Sequence, residues 1–448
     1  MVSDKGQSFF PDATSGRNRQ ITYSNTNTNI ELKQSINLKK QKMKVKKLLF
    51  LPAIALLSLM YACSNDSMTL EPIAEPNAQI SALSMSRNVS SLSAYFGDNI
   101  DFNNLPNYAN QNIPMYIFRN NIPFINRITN EGATLGRVLF YDKKLSSNNT
   151  VSCSSCHKQE LAFGDNNVAS QGVNGTTGRH SMRLINVRFA EEARLFWDKR
   201  AASLDTQTTI PIKDHVEMGY SGKNGAPSFD NLITKLQGLE YYKDLFTRAY
   251  GSPEITEEKM QKALAQFVSS IISFDSKYDE GRTMSGSDFL DFPNFTAEEN
   301  LGKKLFLEFP VAVRGTRAGG GFGCASCHLA SEFGMSALSG NNGVIDKIGS
   351  TDIDLTVTNS PSMRDLVNSN GQPHAPMMHS AVFSTLEQVI DHYNNIPQDP
   401  RNNKLDNNLR LRGLNATPEE KKAVIAFMKT LTGKNVYKDK KWSNPFIN

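Results

Sequence analysis

The chain has 448 residues, 39% of them hydrophobic, which is enough for two globular domains with their own cores. The formal net charge is +5, but six lysines fall between residues 39 and 47, in a segment that we expect to be removed. The mature protein is therefore predicted to be near neutral or slightly acidic, and its composition argues against nucleic-acid binding.

The N-terminal region has the composition of a leader followed by a bacterial signal peptide. Residues 1–42 are polar and Asn/Thr-rich, and we interpret them as a mis-assigned start or a disordered leader. In 43–62, lysines precede an apolar run that is too short to span a bilayer. Ala62 then precedes Cys63, as in a lipobox, which predicts a lipoprotein anchored to a membrane at Cys63 on the periplasmic side. An ordinary signal peptide cleaved nearby is the alternative.

The remaining chain divides into an extension and two helical domains. Residues 63–118 are predicted to be a tether and N-terminal extension with a poorly defined helical piece, followed by domains at 119–290 and 291–448. Strand signals are few, and capped amphipathic segments predict helices. These helices are predicted at 129–140, Thr256–Phe274, 295–306, Thr385–Asn394 and Thr417–Leu431.

Four of the five cysteines lie in two CxxCH motifs, Cys153–His157 and Cys324–His328. The second motif begins 324 − 153 = 171 residues after the first, and each follows a similar helical phrase and a loop rich in glycine or serine. We therefore predict a duplicated domain with one motif in each copy.

A CxxCH motif in an exported protein indicates covalent haem attachment. Its two thiols can add to the haem vinyl groups, and its histidine then lies under the iron as proximal ligand. Zinc is a competing interpretation, but it needs four ligands per site, and no second CxxC or spaced histidine pair lies near either motif. We expect two covalently bound haem c groups, attached at Cys153, Cys156 and His157 and at Cys324, Cys327 and His328.

Ordered phrases along the chain carry a more specific signal. They are Leu135–Asp142, Val151–His157, Phe196–Ala201, Leu204–Gln207, Glu217–Gly219, Pro361–Arg364, Ala375–His379 and Thr385–Ile390. In these phrases the chain resembles the bacterial di-haem cytochrome c peroxidase family, which includes the MauG-type proteins. The predicted fold class is thus mainly α: two cytochrome c-like domains related by an internal repeat, each binding one c-type haem, with long loops.

The resemblance implies roles for three residues of the first domain. Glu217 matches the family's acid/base glutamate, and Gln207 matches the glutamine of the same distal pocket. A carboxylate there can move a proton between the two oxygens of a peroxide. Trp197 matches the tryptophan placed between the two haems as an electron relay. The competing interpretations are a solvated loop charge for Glu217 and an ordinary core side chain for Trp197.

The sequence departs from the family around the first haem. Many relatives cap that iron with a histidine that should fall in 171–175, where no histidine occurs. The iron is therefore expected to be open, unless His180 moves in as a ligand. His180 and His374 also replace expected positions of an interdomain calcium site. Because calcium prefers oxygen ligands, calcium could bind through backbone carbonyls but is not supported by the side chains.

The sixth ligand of the second haem is also unusual. By position it is Tyr393, where most of these peroxidases have methionine and MauG-type members have tyrosine. A phenolate stabilises oxidised iron and lowers its reduction potential. The alternative is that Tyr393 is a core residue and that Met378, Met377 or Met363 is the ligand.

The resemblance implies a cytochrome c peroxidase that reduces hydrogen peroxide with electrons from a small cytochrome c or copper protein. The first alternative is a MauG-type oxidase acting on a protein substrate, which Tyr393 and the missing distal histidine favour. The second alternative is a non-catalytic electron carrier. Relatives are often homodimers, and the sequence itself does not test that state.

Overall fold

The computed structural model describes residues 92–409 and 413–447. The predictions about residues 1–91, including the leader, the signal peptide and the anchor at Cys63, lie outside the described residues. No helix of the described part is both long and apolar enough to cross a membrane.

Short and medium helices separated by long loops dominate the described chain. The helices are α1 (Asn130–Tyr141), α2 (Cys153–Cys156), α3 (Leu204–Lys213), α4 (Phe229–Gln237), α5 (Glu240–Tyr250), α6 (Glu257–Ser270), α7 (Lys277–Ser285), α8 (Ala297–Leu307), α9 (Leu386–Asn394) and α10 (Pro418–Lys429). Antiparallel pairing joins β1 (Gln171–Gly172) to β2 (Gly175–Thr176), β3 (Pro310–Val313) to β4 (Thr316–Gly320), and β5 (His328–Leu329) to β6 (Gly334–Met335). The mainly helical character agrees with the prediction.

Threonine side chains begin the helices that the sequence predicted. Thr129 accepts a hydrogen bond from the backbone N–H of Gly132, and Thr256 caps α6 in the same way. Thr296, Thr385 and Thr417 each form a reciprocal capping box with the third residue of their helix. The prediction was wrong about where α6 ends: it stops at Ser270, because the chain turns there to an extended conformation.

A close helix crossing occurs once in each half of the molecule. In the first half, a Cβ on Gly136 of α1 would lie 2.0 Å from the carbonyl oxygen of Ala263 in α6. In the second half, a Cβ on Gly302 of α8 would lie 1.8 Å from the carbonyl oxygen of Ala423 in α10. Only glycine permits helix backbones to approach this closely. The matching crossings agree with the internal repeat inferred from the sequence.

Each crossing is surrounded by its own hydrophobic core. The first core includes Leu135, Phe140 and Phe267, and the second includes Phe306 and Phe427. Burial of such aliphatic and aromatic side chains is the main contribution to folding, at about 1.5–3 kcal/mol for each fully buried side chain.

The cores do not follow the predicted domain boundaries. Tyr278 in α7 belongs to the second core, although residue 278 was placed in the domain ending at 290. Val436 and Trp442 belong to the first core, although 291–448 was predicted to be the second domain. The Trp442 indole N–H donates to Ser270 Oγ at 3.2 Å. The end of the described chain therefore returns to the first half.

The described part of the N-terminal extension also packs against the first core. Leu92, Phe96, Phe102 and Tyr108 are buried there, and the Tyr108 hydroxyl donates to the carbonyl of Lys441. From residue 92 onward the chain is therefore an integral layer of the fold rather than a tether. Its spaced aromatic side chains give the physical reason, because they supply apolar surface for burial.

Candidate haem sites

The first CxxCH motif lines a cavity of about 450 Å³. Cys153 and Cys156 form no disulfide, and both line this cavity. The His157 Nδ1 lies 3.1 Å from the carbonyl oxygen of Phe163, which orients the ring and leaves Nε2 available as a ligand. Burial lowers the pKa of His157, which favours the neutral imidazole that metals bind.

The second CxxCH motif lines a separate cavity of about 190 Å³ with Cys324, Cys327 and His328. Both cysteines are free thiols. Burial lowers the pKa of His328 to about 4, so this imidazole is neutral as well. Its Nδ1 is buried and has no hydrogen-bond partner among the described residues. Two free thiols and a neutral buried imidazole facing an apolar cavity fit a covalently held haem at each motif.

Zinc binding has no support in the described part of the chain. Across residues 92–409 and 413–447, no group of three or more His, Cys, Asp or Glu side chains is arranged to hold a metal ion. Binding of calcium through backbone carbonyls remains an untested prediction. Each CxxCH motif instead offers one imidazole and two thiols, which is the haem pattern.

Glu217 faces the first cavity from a loop that is held on two sides. Asp214 Oδ1 accepts hydrogen bonds from the backbone N–H groups of Val216, at 2.8 Å, and Glu217, at 3.0 Å. The β1–β2 hairpin packs on the other side, where the Val173 N–H donates to the Glu217 carbonyl at 3.0 Å. Gly172 is required there, because a Cβ would lie 2.1 Å from the Val216 carbonyl oxygen. The local fold therefore fixes the position of the Glu217 backbone.

The electrostatic environment of the Glu217 carboxyl group is suited to proton transfer. Burial raises its pKa to about 7, the charge of Asp214 adds to the rise, and Arg200 opposes it. No hydrogen-bond or ion-pair partner for its carboxylate occurs among the described residues. A carboxyl group with this pKa can both accept and release a proton near neutral pH.

Helix α3 brings Gln207 to the same cavity. Gln207 and Pro211 are one helical turn apart, and both line the cavity, as do Asp214 and Glu217. Arg200 lines it too, with its guanidinium carbon 3.6 Å from the Phe196 ring centroid. Arg200 lies inside a phrase that carries the family resemblance, but no role was predicted for it.

The Trp197 side chain lines both cavities. Its indole N–H donates to the carbonyl of His180 at 2.7 Å, and its ring meets that of His379 edge-on at 6.1 Å between centroids. The side chain is 9% exposed. The structure therefore places Trp197 between the two CxxCH cavities, while its electron-relay role remains a prediction.

The histidines that line the first cavity are His157 and His180. The His180 Nδ1 lies 2.8 Å from the carbonyl oxygen of Asn167. His180 also lines the second cavity, so it lies at the junction of the two. His374 is buried in the second half, where its ring lies 5.7 Å from that of Tyr437 and its Nε2 has no partner in the described chain.

Two of the candidates for the sixth ligand of the second haem, Tyr393 and Met378, contact the same amide. The Nδ2 of Asn342 lies 3.2 Å from the Tyr393 hydroxyl and 3.5 Å from the Met378 sulfur. The Asn342 Oδ1 accepts from the Val344 N–H at 3.1 Å, which fixes the amide orientation. Tyr393, Met378, Met377 and Met363 all line the second cavity. Asn342 has no motif around it, and sequence reasoning missed it.

These features define a class: a mainly helical protein with two cavities, each built around a c-type haem attachment motif. Residues 130–287 match the family model described as di-haem cytochrome c peroxidase. The methylamine utilization protein MauG of Methylorubrum extorquens is 27% identical over 319 residues, covering 69% of this chain and 80% of that protein. Cytochrome c551 peroxidase of Nitrosomonas europaea is 26% identical over 313 residues, covering 67% and 80%.

A solved structure of a MauG-like protein is also similar to this chain. A MauG-like protein associated with microbial copper homeostasis superimposes with a TM-score of 0.59 at 26% identity, covering 75% of this chain and 99% of that one. By these matches the chain is similar to the di-haem cytochrome c peroxidase family that includes MauG. The proteins of that family are oxidoreductases with haem c as the cofactor.

Proposed function

We propose that the protein reduces hydrogen peroxide to water with electrons from a small redox protein. The observation that carries the proposal is the buried carboxyl of Glu217, which faces the same cavity as the Cys153–His157 motif and whose pKa is raised to about 7. Hydrogen peroxide, two electrons and two protons give two water molecules. The proton on the near oxygen must reach the far oxygen, which leaves as water.

Different side chains of the first cavity have different roles in this reduction of peroxide. Haem held by Cys153, Cys156 and His157 would supply the iron that binds and reduces peroxide. The Glu217 carboxylate accepts the proton from the near oxygen and returns it to the departing one. The Gln207 side chain, on α3, orients peroxide by hydrogen bonding.

Trp197 belongs to the same proposal as the route by which electrons reach the first cavity. Cys324, Cys327 and His328 would hold the second haem, which would supply the entry point for electrons from the donor. Trp197 lines both cavities, so its indole offers an aromatic path between them.

The test uses the purified protein with both haems attached. Peroxide consumption is followed with a reduced small cytochrome c or copper protein as donor, in wild type and in Glu217→Gln. Donor-dependent turnover that falls at least a hundredfold in the variant supports the proposal. A holoprotein that does not react with peroxide would be an electron carrier, and the proposal would fail.

A second candidate is a MauG-type oxidase that acts on a protein substrate. The Tyr393 hydroxyl, buried in the second cavity and hydrogen-bonded to Asn342, favours this alternative. It predicts that peroxide oxidises the holoprotein, that the oxidised state persists, and that a reduced small donor does not restore turnover. The two candidates therefore give opposite results in the same assay.

We also propose that the protein is exported and attached to a membrane. The lysine-rich segment and the apolar run before Cys63 support a lipoprotein on the periplasmic side. Metabolic labelling with a radioactive fatty acid should mark the wild-type chain and not Cys63→Ser. An unlabelled wild type, cleaved at another position, would contradict the anchor.

A further inference from the structure

A second arginine, Arg183, lies between the two haem cavities and lines both of them. Its stem runs past Gly164, where a Cβ would come within 2.9 Å of the Arg183 Cγ. At the far end, Nη2 donates to the carbonyl of Ser362 at 3.0 Å. The side chain therefore starts in the first half of the molecule and ends against the loop beside the second CxxCH motif.

The charge of Arg183 is not neutralised by the described protein. Its Nε is buried without a hydrogen-bond partner. No carboxylate among residues 92–409 and 413–447 forms an ion pair with its guanidinium. The acid that interacts with it at longer range is Asp365, whose Oδ1 already accepts from the Gly433 N–H and the Tyr437 hydroxyl, each at 2.8 Å. A guanidinium whose Nε is buried and that has no carboxylate partner is costly, so an anion in the cavity would stabilise this position.

The two cavities that Arg183 lines are the ones that contain the two proximal histidines. His157 and Arg183 both line the first cavity, and His328 and Arg183 both line the second. Arg183 therefore borders the space in which each haem would lie.

We propose that Arg183 binds a propionate carboxylate of a bound haem and is a positive charge shared by the two haem sites. Propionates are the anionic groups that haem brings into such a cavity, and a guanidinium binds a carboxylate through two parallel hydrogen bonds. A positive charge between the sites favours the reduced form of both irons and so raises both reduction potentials. The proposal requires haem at both motifs, and it does not depend on peroxide reduction.

The first experiment removes this charge in the holoprotein. Arg183→Met retains a stem beside Gly164, whereas Arg183→Lys keeps the charge but loses the paired hydrogen bonds. Both midpoint potentials are measured by spectroelectrochemistry after the ratio of two haems per chain is verified. In Arg183→Met both potentials should fall, and at least one reduction equilibrium should change about tenfold, or 59 mV for one electron. Arg183→Lys should retain most of the wild-type potentials.

Arg188 offers a matched control. Its Nε is likewise buried without a partner, but Arg188 lines a different cavity, to which neither motif contributes a residue. Arg188→Met should leave both potentials unchanged. If Arg183→Met holds two haems and shifts neither potential, Arg183 only braces the Ser362 loop. If it shifts one potential alone, the charge is not shared, and the proposal is overturned in either case.

The second experiment does not depend on how well a variant folds. A structure of the wild-type holoprotein should show a propionate oxygen about 3 Å from the Nε or Nη1 of Arg183. A guanidinium that contacts only protein or water would overturn the proposal. Haem content and donor-dependent turnover, measured on the same preparation, separate this failure from failure of the peroxidase proposal.

Discussion

The pH dependence of peroxide reduction is the most informative test of Glu217. Burial and Asp214 raise its pKa from the usual 4.5 to about 7, a difference of about 3 kcal/mol between the two protonation states. To accept the peroxide proton, the group must be ionised. The ionised fraction is about one tenth at pH 6 and about nine tenths at pH 8, so kcat/KM for peroxide should rise nearly tenfold over this interval.

Substitutions of Glu217 and of the two charged residues near it should change this pH profile in different ways. Glu217→Gln should abolish the rise and lower kcat/KM by about 10²–10⁴, or at least about 2.7 kcal/mol of transition-state stabilisation. Asp214→Asn keeps the oxygen that accepts from the backbone but removes a charge that raises the Glu217 pKa, so the rise should shift to lower pH. Arg200→Gln removes a charge that lowers the pKa, so the rise should shift to higher pH.

The assay is stopped-flow mixing of the holoprotein with peroxide from pH 5 to 9, followed by the haem absorption. A Glu217→Gln rate within threefold of wild type would refute proton transfer by this carboxyl. A rise that stays at the same pH in both Asp214→Asn and Arg200→Gln would show that another group titrates.

Three further predictions concern the scaffold and the second haem. Gly302→Ala should lower the free energy of unfolding by about 2–3 kcal/mol through the α8–α10 clash, whereas Gly319→Ala, where a Cβ meets nothing within 4 Å, should change the denaturant midpoint little. Arg364→Met should lower the free energy of unfolding by about 3–5 kcal/mol. The substitution leaves the buried Asp279 without the guanidinium that now donates to it at 2.8 and 2.9 Å. A decrease below 1 kcal/mol in urea unfolding would contradict this. Tyr393→Phe should change the near-infrared and resonance Raman spectra of the holoprotein and raise the potential of the second haem, whereas a methionine–iron band in wild type would eliminate Tyr393 as ligand.

The features that could be predicted are those determined by short stretches of sequence. The CxxCH motifs and the threonines that cap α1 and α6 depend on neighbours within a few residues. Glu217, Gln207 and Trp197 were identified by resemblance, and the structure brings all three to the first cavity. Their chemical roles are still predictions, because proximity to a cavity does not measure proton or electron transfer.

Features made by distant segments left no local signal. Asn342 contacts Tyr393 across 51 positions of sequence, and Arg183 contacts Ser362 across 179. Neither residue lies in a recognisable pattern of spacing or hydrophobic period. The exchange of segments between the two cores has the same cause, since Tyr278 and Trp442 each pack in the core of the other half.

The position of Trp442 has a consequence for the order of assembly. The first core is incomplete until this late segment of the chain has been made and has docked beside Ser270. The core around the first CxxCH motif therefore closes only after the second half of the chain has been synthesised.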